Sequence, residues 1–158
     1  MLCKVIRLAV RETLAFEDFR EPAEVSVTLT DNARIQKLNR RFRGKDAPTD
    51  VLSFPMLGDD PDGDLPVEGY LPLGDMVLSL ERAMEQASEF PHTEAPEGCD
   101  PFLCEIAFLC IHSTLHLLGY DHETSPEDEK EMFARQEEIM RAFAKRHGKK
   151  ELRIEKAL

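Results

Sequence analysis

The chain has 158 residues and a formal net charge of −11. It is long enough to bury a core as one domain, residues 1–158, without staples, and too acidic overall to bind polyanions indiscriminately. Lys4, Arg7 and Arg11 interrupt the N-terminus and leave no apolar run long enough for a signal peptide or membrane span. A cytoplasmic, membrane-free protein is expected. Its Cys3, Cys99, Cys104 and Cys110 show no C-x2-C spacing and should be reduced, acting as small buried apolar residues.

Charge is unevenly spread. Residues 34–45 hold Arg34, Lys37, Arg40, Arg41, Arg43 and Lys45 with no acid among them, whereas Arg82 is the sole basic residue from 59 to 100. A second basic run, Arg141 to Lys156, closes the chain. The expectation is a bipolar molecule with basic patches on an acidic body. By charge alone such patches are ordinary solvated helix faces.

Taken in order, Val5, Leu8, Ala9, Leu14 and Ala15 recur at helical intervals and predict a helix over 2–19. Val25, Val27 and Leu29 alternate with Ser26 and Thr28, which predicts a strand over 24–30. Thr30 or Asp31 then caps a helix that turns Ile35, Leu38 and Phe42 inward and ends at Gly44. After a turn at Asp46-Ala47-Pro48, residues 49–55 hold a short buried strand closed by Pro55. Residues 58–69, rich in Gly, Asp and Pro, read as a mobile acidic loop. A second buried strand over 73–80 leads into a helix over 81–90, and 91–98 is again loop. Asp100 caps and Pro101 opens a helix that is apolar almost all round over 102–111, so it belongs in the core. Ser125, Pro126, Glu127 and Asp128 start the last helix, whose stripe is Met132, Phe133, Ile139, Met140 and Phe143. Residues 147–158 read as a frayed basic tail.

The chemistry concentrates in residues 111–123, I-H-S-T-L-H-L-L-G-Y-D-H-E. His112 and His116 are one helical turn apart on one face, so their imidazoles can share a metal. Gly119 can end the helix in a left-handed conformation and bring His122 back to the same point. Three protein nitrogens with a fourth position left to water is the pattern of catalytic zinc, one ion per chain. The spacing equals that of a metzincin peptidase, but Ser113 stands where that motif needs its Glu base, so a peptidase is not expected. Ser113 points beside the metal position rather than at it and can bond back to the Leu109 carbonyl, the alternative being a part in the chemistry. Glu105, two turns before His112, reads either as a carboxylate holding an imidazole N–H or as a residue near the helix start.

H-S-T-L-H-L-L-G-Y-D-H resembles the H-G-x-L-H-L-x-G-Y-D-H motif of the YbeY family, bacterial single-strand-specific endoribonucleases of ribosomal RNA maturation. L-N-R-R-F-R-G-K-D-A-P-T-D-V-L-S-F-P (38–55), L-G-D-M (73–76) and the Glu- and Met-bearing last helix follow in the family's order, so the likeness spans residues 25–143. The resemblance implies His112, His116 and His122 as zinc ligands and Arg43 as the arginine essential for cleavage. With the element pattern above, it implies an α+β fold: a mixed sheet of three to four strands, about five helices, and a central buried helix carrying the ligands. It further implies action on the 16S ribosomal RNA 3′ end and in ribosome quality control, with single-stranded RNA and ribosomal proteins as partners. Two departures stand out: Ser113 replaces the motif glycine, and the chain begins directly in the first helix, where relatives have a short strand.

Zinc on three neutral imidazoles keeps its double charge, which can lower the pKa of bound water to about 7 and polarise a phosphoryl oxygen. Arg43 would pair with a phosphate, while Arg40, Arg41 and Lys45 would hold flanking phosphates of a single strand. Metal-bound water and the RNA 2′-hydroxyl both remain open as nucleophile. Two other readings stand beside this one: a metal-stabilised module that binds RNA or the ribosome with little catalysis, and a zinc hydrolase of another phosphoester or an amide.

Overall fold

The computed structural model describes residues 1–57, 69–89 and 97–152. The expected loops at 58–69 and 91–98 fall largely outside these residues. Within them the order is α1 (Leu2–Phe16), β1 (Ala23–Thr30), α2 (Asn32–Arg43), β2 (Val51–Pro55), β3 (Leu71–Ser79), α3 (Leu80–Glu89), α4 (Pro101–Leu117) and α5 (Pro126–His147). This is the α+β class the sequence predicts.

The sheet is mixed, in the order β1-β3-β2. The central strand β3 runs parallel to β1, with Val27 opposite Met76, and antiparallel to β2, with Leu52 opposite Val77. A strand covered on both faces reads as an apolar run rather than an alternation. Met76 and Leu78 accordingly join Val51 in the main core with Val5, Ile106, Ile111 and Phe143. Val77 and Leu52 face the other way and pack with Ile35 of α2. Each large side chain so buried contributes roughly 1.5–3 kcal/mol of transfer free energy.

Helix α4 packs against α1, α3, α5, β2 and β3. Asp100 caps it, its Oδ1 accepting from the Leu103 N–H at 3.0 Å, with Pro101 in the first turn. Its buried residues run from Leu103 to Leu117. Gly74 lets the C-terminal end of this helix settle on the sheet: a Cβ at that position would lie 2.2 Å from the Phe54 carbonyl oxygen and 2.9 Å from Leu117 Cδ2, and its φ of +143° disfavours any L side chain.

Three details depart from the sequence reading. Helix α1 ends at Phe16, short of residue 19, as Asp18 takes a φ of 55°. Its buried face is Val5, Ile6, Ala9 and Thr13, and Thr13 tolerates burial because its hydroxyl donates to the Ala9 carbonyl at 2.8 Å. On α2, Phe42 is 55% exposed instead of inward, meeting Phe54 in an edge-to-face pair with 5.2 Å between ring centroids. Asn39 occupies the buried face and donates to the Ala47 carbonyl at 2.9 Å, which fixes the turn into β2.

The tail is docked well past the point where fraying was expected. Glu151 pairs with Lys4 at 2.8 Å, Leu152 is fully buried, and its carbonyl accepts from the Asp100 N–H at 2.6 Å. A buried leucine anchors the segment through residue 152, beyond which the described residues end. Cys104 and Cys110 are buried, Cys99 is half-buried with its Sγ donating to the Gly148 carbonyl at 3.1 Å, and Cys3 is exposed; none of the four is in a disulfide. Burial pushes the Cys104 and Cys110 thiols up to about 12, so both stay protonated and unreactive.

Candidate metal centre

The last turns of α4 present His112 and His116 with ring centroids 4.7 Å apart and their Nε2 atoms 3.1 Å apart. Leu118 closes the helix. Gly119 then takes a φ of 103°, and the N–H groups of Gly119 and Tyr120 satisfy the His116 and Leu115 carbonyls at 3.0 Å. The turn returns His122 to centroid distances of 5.4 Å from His112 and 5.0 Å from His116. The ligating atoms of the three residues lie within 4.8 Å of one another.

The outer nitrogens decide what the inner ones offer. His112 Nδ1 lies 2.5 Å from Gln136 Oε1, and His116 Nδ1 lies 2.8 Å from the Tyr120 carbonyl oxygen. Both partners accept, so each Nδ1 carries the proton and each Nε2 of the neutral ring presents a lone pair. The 3.1 Å Nε2 pair is then two facing lone pairs, which repel unless a cation joins them. That spacing is close to the roughly 3.3 Å edge of a tetrahedron with metal–nitrogen bonds of about 2.0–2.1 Å. His122 Nδ1 is buried and has no hydrogen-bond partner among the described residues. The group therefore fits a divalent metal ion on the chemistry of its donors.

Electrostatics agree. Burial lowers the His112 pKa, and the Gln136 hydrogen bond offsets this only in part. Burial, followed by His112 and His122 as neighbours, pushes His116 down to about 4. Both rings are neutral near pH 7 and available as ligands. Phe133, expected in the core stripe of α5, is 39% exposed and stacks on the His122 ring at 5.8 Å.

Arg43 stands at the end of α2, where Gly44 caps the helix in the left-handed conformation. Its Nη2 lies 2.5 Å from Oε1 of Glu123, the residue after His122, so Arg43 reaches the edge of the histidine loop. Arg40, Arg41 and Lys45 are exposed on the same segment, and the Arg41 guanidinium rests 5.2 Å from the Phe42 ring centroid. Glu105 is buried, and it is Gln136 that meets His112. Ser113 is buried too, with its hydroxyl 2.6 Å from Ser53 Oγ on β2; the back-bond expected of it is made by its neighbour Thr114, to the Cys110 carbonyl at 2.6 Å. A hydroxyl facing the sheet finds a partner there before it need bend its own helix.

Sequence reasoning missed Gln136, Glu123 and the Tyr120 carbonyl. Only Gln136 left a signal: it is a polar residue on the buried stripe of α5 between Met132 and Ile139, and buried polar side chains have a partner.

Fold and site together define a small α+β domain with a three-histidine group able to hold a metal ion at the end of a buried helix. The chain belongs to the YbeY family, whose sequence model, described as Endoribonuclease YbeY, matches residues 1–144. It is 49% identical over 137 residues to Endoribonuclease YbeY of Geobacillus thermodenitrificans, covering 85% of this chain and 81% of that protein. It is 47% identical over 139 residues to Endoribonuclease YbeY of Roseiflexus sp., covering 88% and 82%. Among solved structures, the solution structure of TM1509 from Thermotoga maritima is similar, with a TM-score of 0.59 and 28% identity over 99% of this chain and 91% of that one.

Proposed function

We propose that the protein is a zinc-dependent, single-strand-specific endoribonuclease that acts in the cytoplasm on ribosomal RNA, at the 16S 3′ end, in ribosome maturation and quality control. One observation supports this beyond family membership: two proton-fixed imidazoles converge their lone pairs at 3.1 Å while an arginine sits at the edge of the same loop. A divalent metal held by His112, His116 and His122 would supply Lewis acidity toward a phosphoryl oxygen and toward water.

The chain's own residues do the rest. Gln136 and the Tyr120 carbonyl hold the two rings in the ligating tautomer. Arg43 offers a planar fork to a phosphate and stabilises the charge that grows on it during cleavage. Arg40, Arg41 and Lys45 hold flanking phosphates without reading bases, which suits a flexible single strand. Ribosomal proteins are the proposed further partners.

The test uses metal-loaded protein with single-stranded RNA, double-stranded RNA, single-stranded DNA and a peptide library, with His116→Ala as control. Cleavage confined to single-stranded RNA and lost with His116 is expected. RNA binding without cleavage would instead favour a binding module. Arg43→Ala should abolish cleavage at unchanged metal content and melting temperature, and Arg43→Lys should recover only part, since an ammonium lacks the fork. Full activity in the alanine variant would remove Arg43 from the mechanism.

A further inference from the structure

Arg43 already holds an anion. The turn that delivers His122 also delivers Glu123, whose backbone N–H is pinned by Asp121 Oδ1 at 2.8 Å and whose carboxylate meets Arg43 Nη2 at 2.5 Å. The contact joins residues 80 positions apart. It is not needed to hold α2 in place, because that helix is capped by Asp31 at one end and Gly44 at the other and is anchored by Ile35 and Asn39. Nor is the pair sealed from solvent: its side chains are 37% and 53% exposed. An ion pair so placed shifts an equilibrium by about fivefold at most, so a competing anion can displace it.

A carboxylate and a phosphate present the same paired oxygens to a guanidinium fork. On the reading that Arg43 meets an RNA phosphate, we propose that Glu123 is an intramolecular stand-in for that phosphate: it keeps the Arg43 fork beside the histidine loop while the site is empty and yields it to the substrate. Glu123 then sets how tightly RNA binds and leaves the chemical step alone.

The test compares wild type, Glu123→Gln, Arg43→Ala and the double variant as full-length, metal-loaded proteins. Glu127→Gln controls for loss of one negative charge at an exposed position of α5. Binding of a fluorescent single-stranded oligoribonucleotide is read by anisotropy, and kcat and KM are measured separately. Glu123→Gln should tighten binding and lower KM by about two- to fivefold, with kcat unchanged. The gain should vanish when Arg43 is Ala, and Glu127→Gln should not reproduce it. A raised KM or reduced kcat would make Glu123 a positioning residue and overturn the proposal. An equal gain from Glu127→Gln, or a gain that persists without Arg43, would reduce the effect to bulk charge and overturn it as well. If wild type neither binds nor cleaves RNA, the functional reading fails and this inference with it; if wild type does both and Glu123→Gln changes neither Kd nor KM, this inference fails alone.

Discussion

A histidine becomes a metal ligand through the nitrogen that does not face the metal. Gln136 Oε1 and the Tyr120 carbonyl fix the protons of His112 and His116 on Nδ1, and partners of this kind typically carry 10–100-fold in metal affinity. Gln136→Ala should therefore weaken metal binding by about that factor, measured by competition with a chelator, while Gln136→Glu, which keeps an oxygen acceptor, should restore it. Equal affinity in the alanine variant would show that the His112 ring is oriented by packing alone. The three histidines were legible because local spacing sets their geometry: one helical turn, then a glycine that can go left-handed. Gln136 lies 24 residues from His112 on another helix, and Glu123 meets Arg43 across 80. Contacts of that reach depend on how elements dock, which spacing does not encode.

Element by element, caps and periodicity told most of the story, and errors came where an element outran its neighbour. Phe42 shares a helix face with Ile35 yet stays 55% exposed, with Phe54 and the Arg41 guanidinium against its ring. The tail looked basic and loose, but Leu152 is an apolar anchor among those charges. Ser113 is the element-scale case that bears on function, since its hydroxyl joins α4 to β2 through Ser53. Ser113→Gly removes that bond, strands a partly buried hydroxyl and places glycine inside a helix. It should cost about 1–2 kcal/mol, seen as a melting temperature lower by roughly 3–6 °C, with turnover retained because the side chain faces the sheet. A large loss of kcat at unchanged metal content would put Ser113 in the chemistry. Gly74→Ala tests the other contact of α4 with the sheet. Its Cβ would lie 2.2 Å from backbone oxygen at a φ of +143°, so a loss of about 2–5 kcal/mol is expected in denaturant unfolding. A midpoint matching wild type would show that β2 and α4 can move apart freely.

At the scale of the molecule, the strand order β1-β3-β2 was beyond the sequence: the unbroken apolar run of β3 marks a central strand, but nothing local says which neighbour is parallel. The assembled fold has a further consequence that no single element shows, a stability that depends on pH through its buried bases. His116 is pushed down to about 4, chiefly by burial, and His112 is lowered for the same first reason. In the unfolded chain both titrate near 6.5. Between those values the unfolded state binds protons that the folded state refuses, so the metal-free protein is fully stabilised above about pH 6.5 and loses that stability as pH falls toward 4. For His116, allowing for its partial exposure, the loss is about 1–2 kcal/mol, or roughly 3–6 °C in a chain of this size. Glu123 acts lower down. Its hydrogen bond and ion pair with Arg43 depress its pKa, so its smaller contribution is present above the ordinary carboxylate value and disappears only below it. Melting of chelator-treated protein from pH 7.5 to 4 should therefore fall most steeply between about 6 and 4.5. His116→Gln, which removes one titrating ring, should flatten that slope. An identical slope in the variant would mean that His116 titrates no differently in the folded and unfolded chain, and that burial in this loop does not keep it neutral.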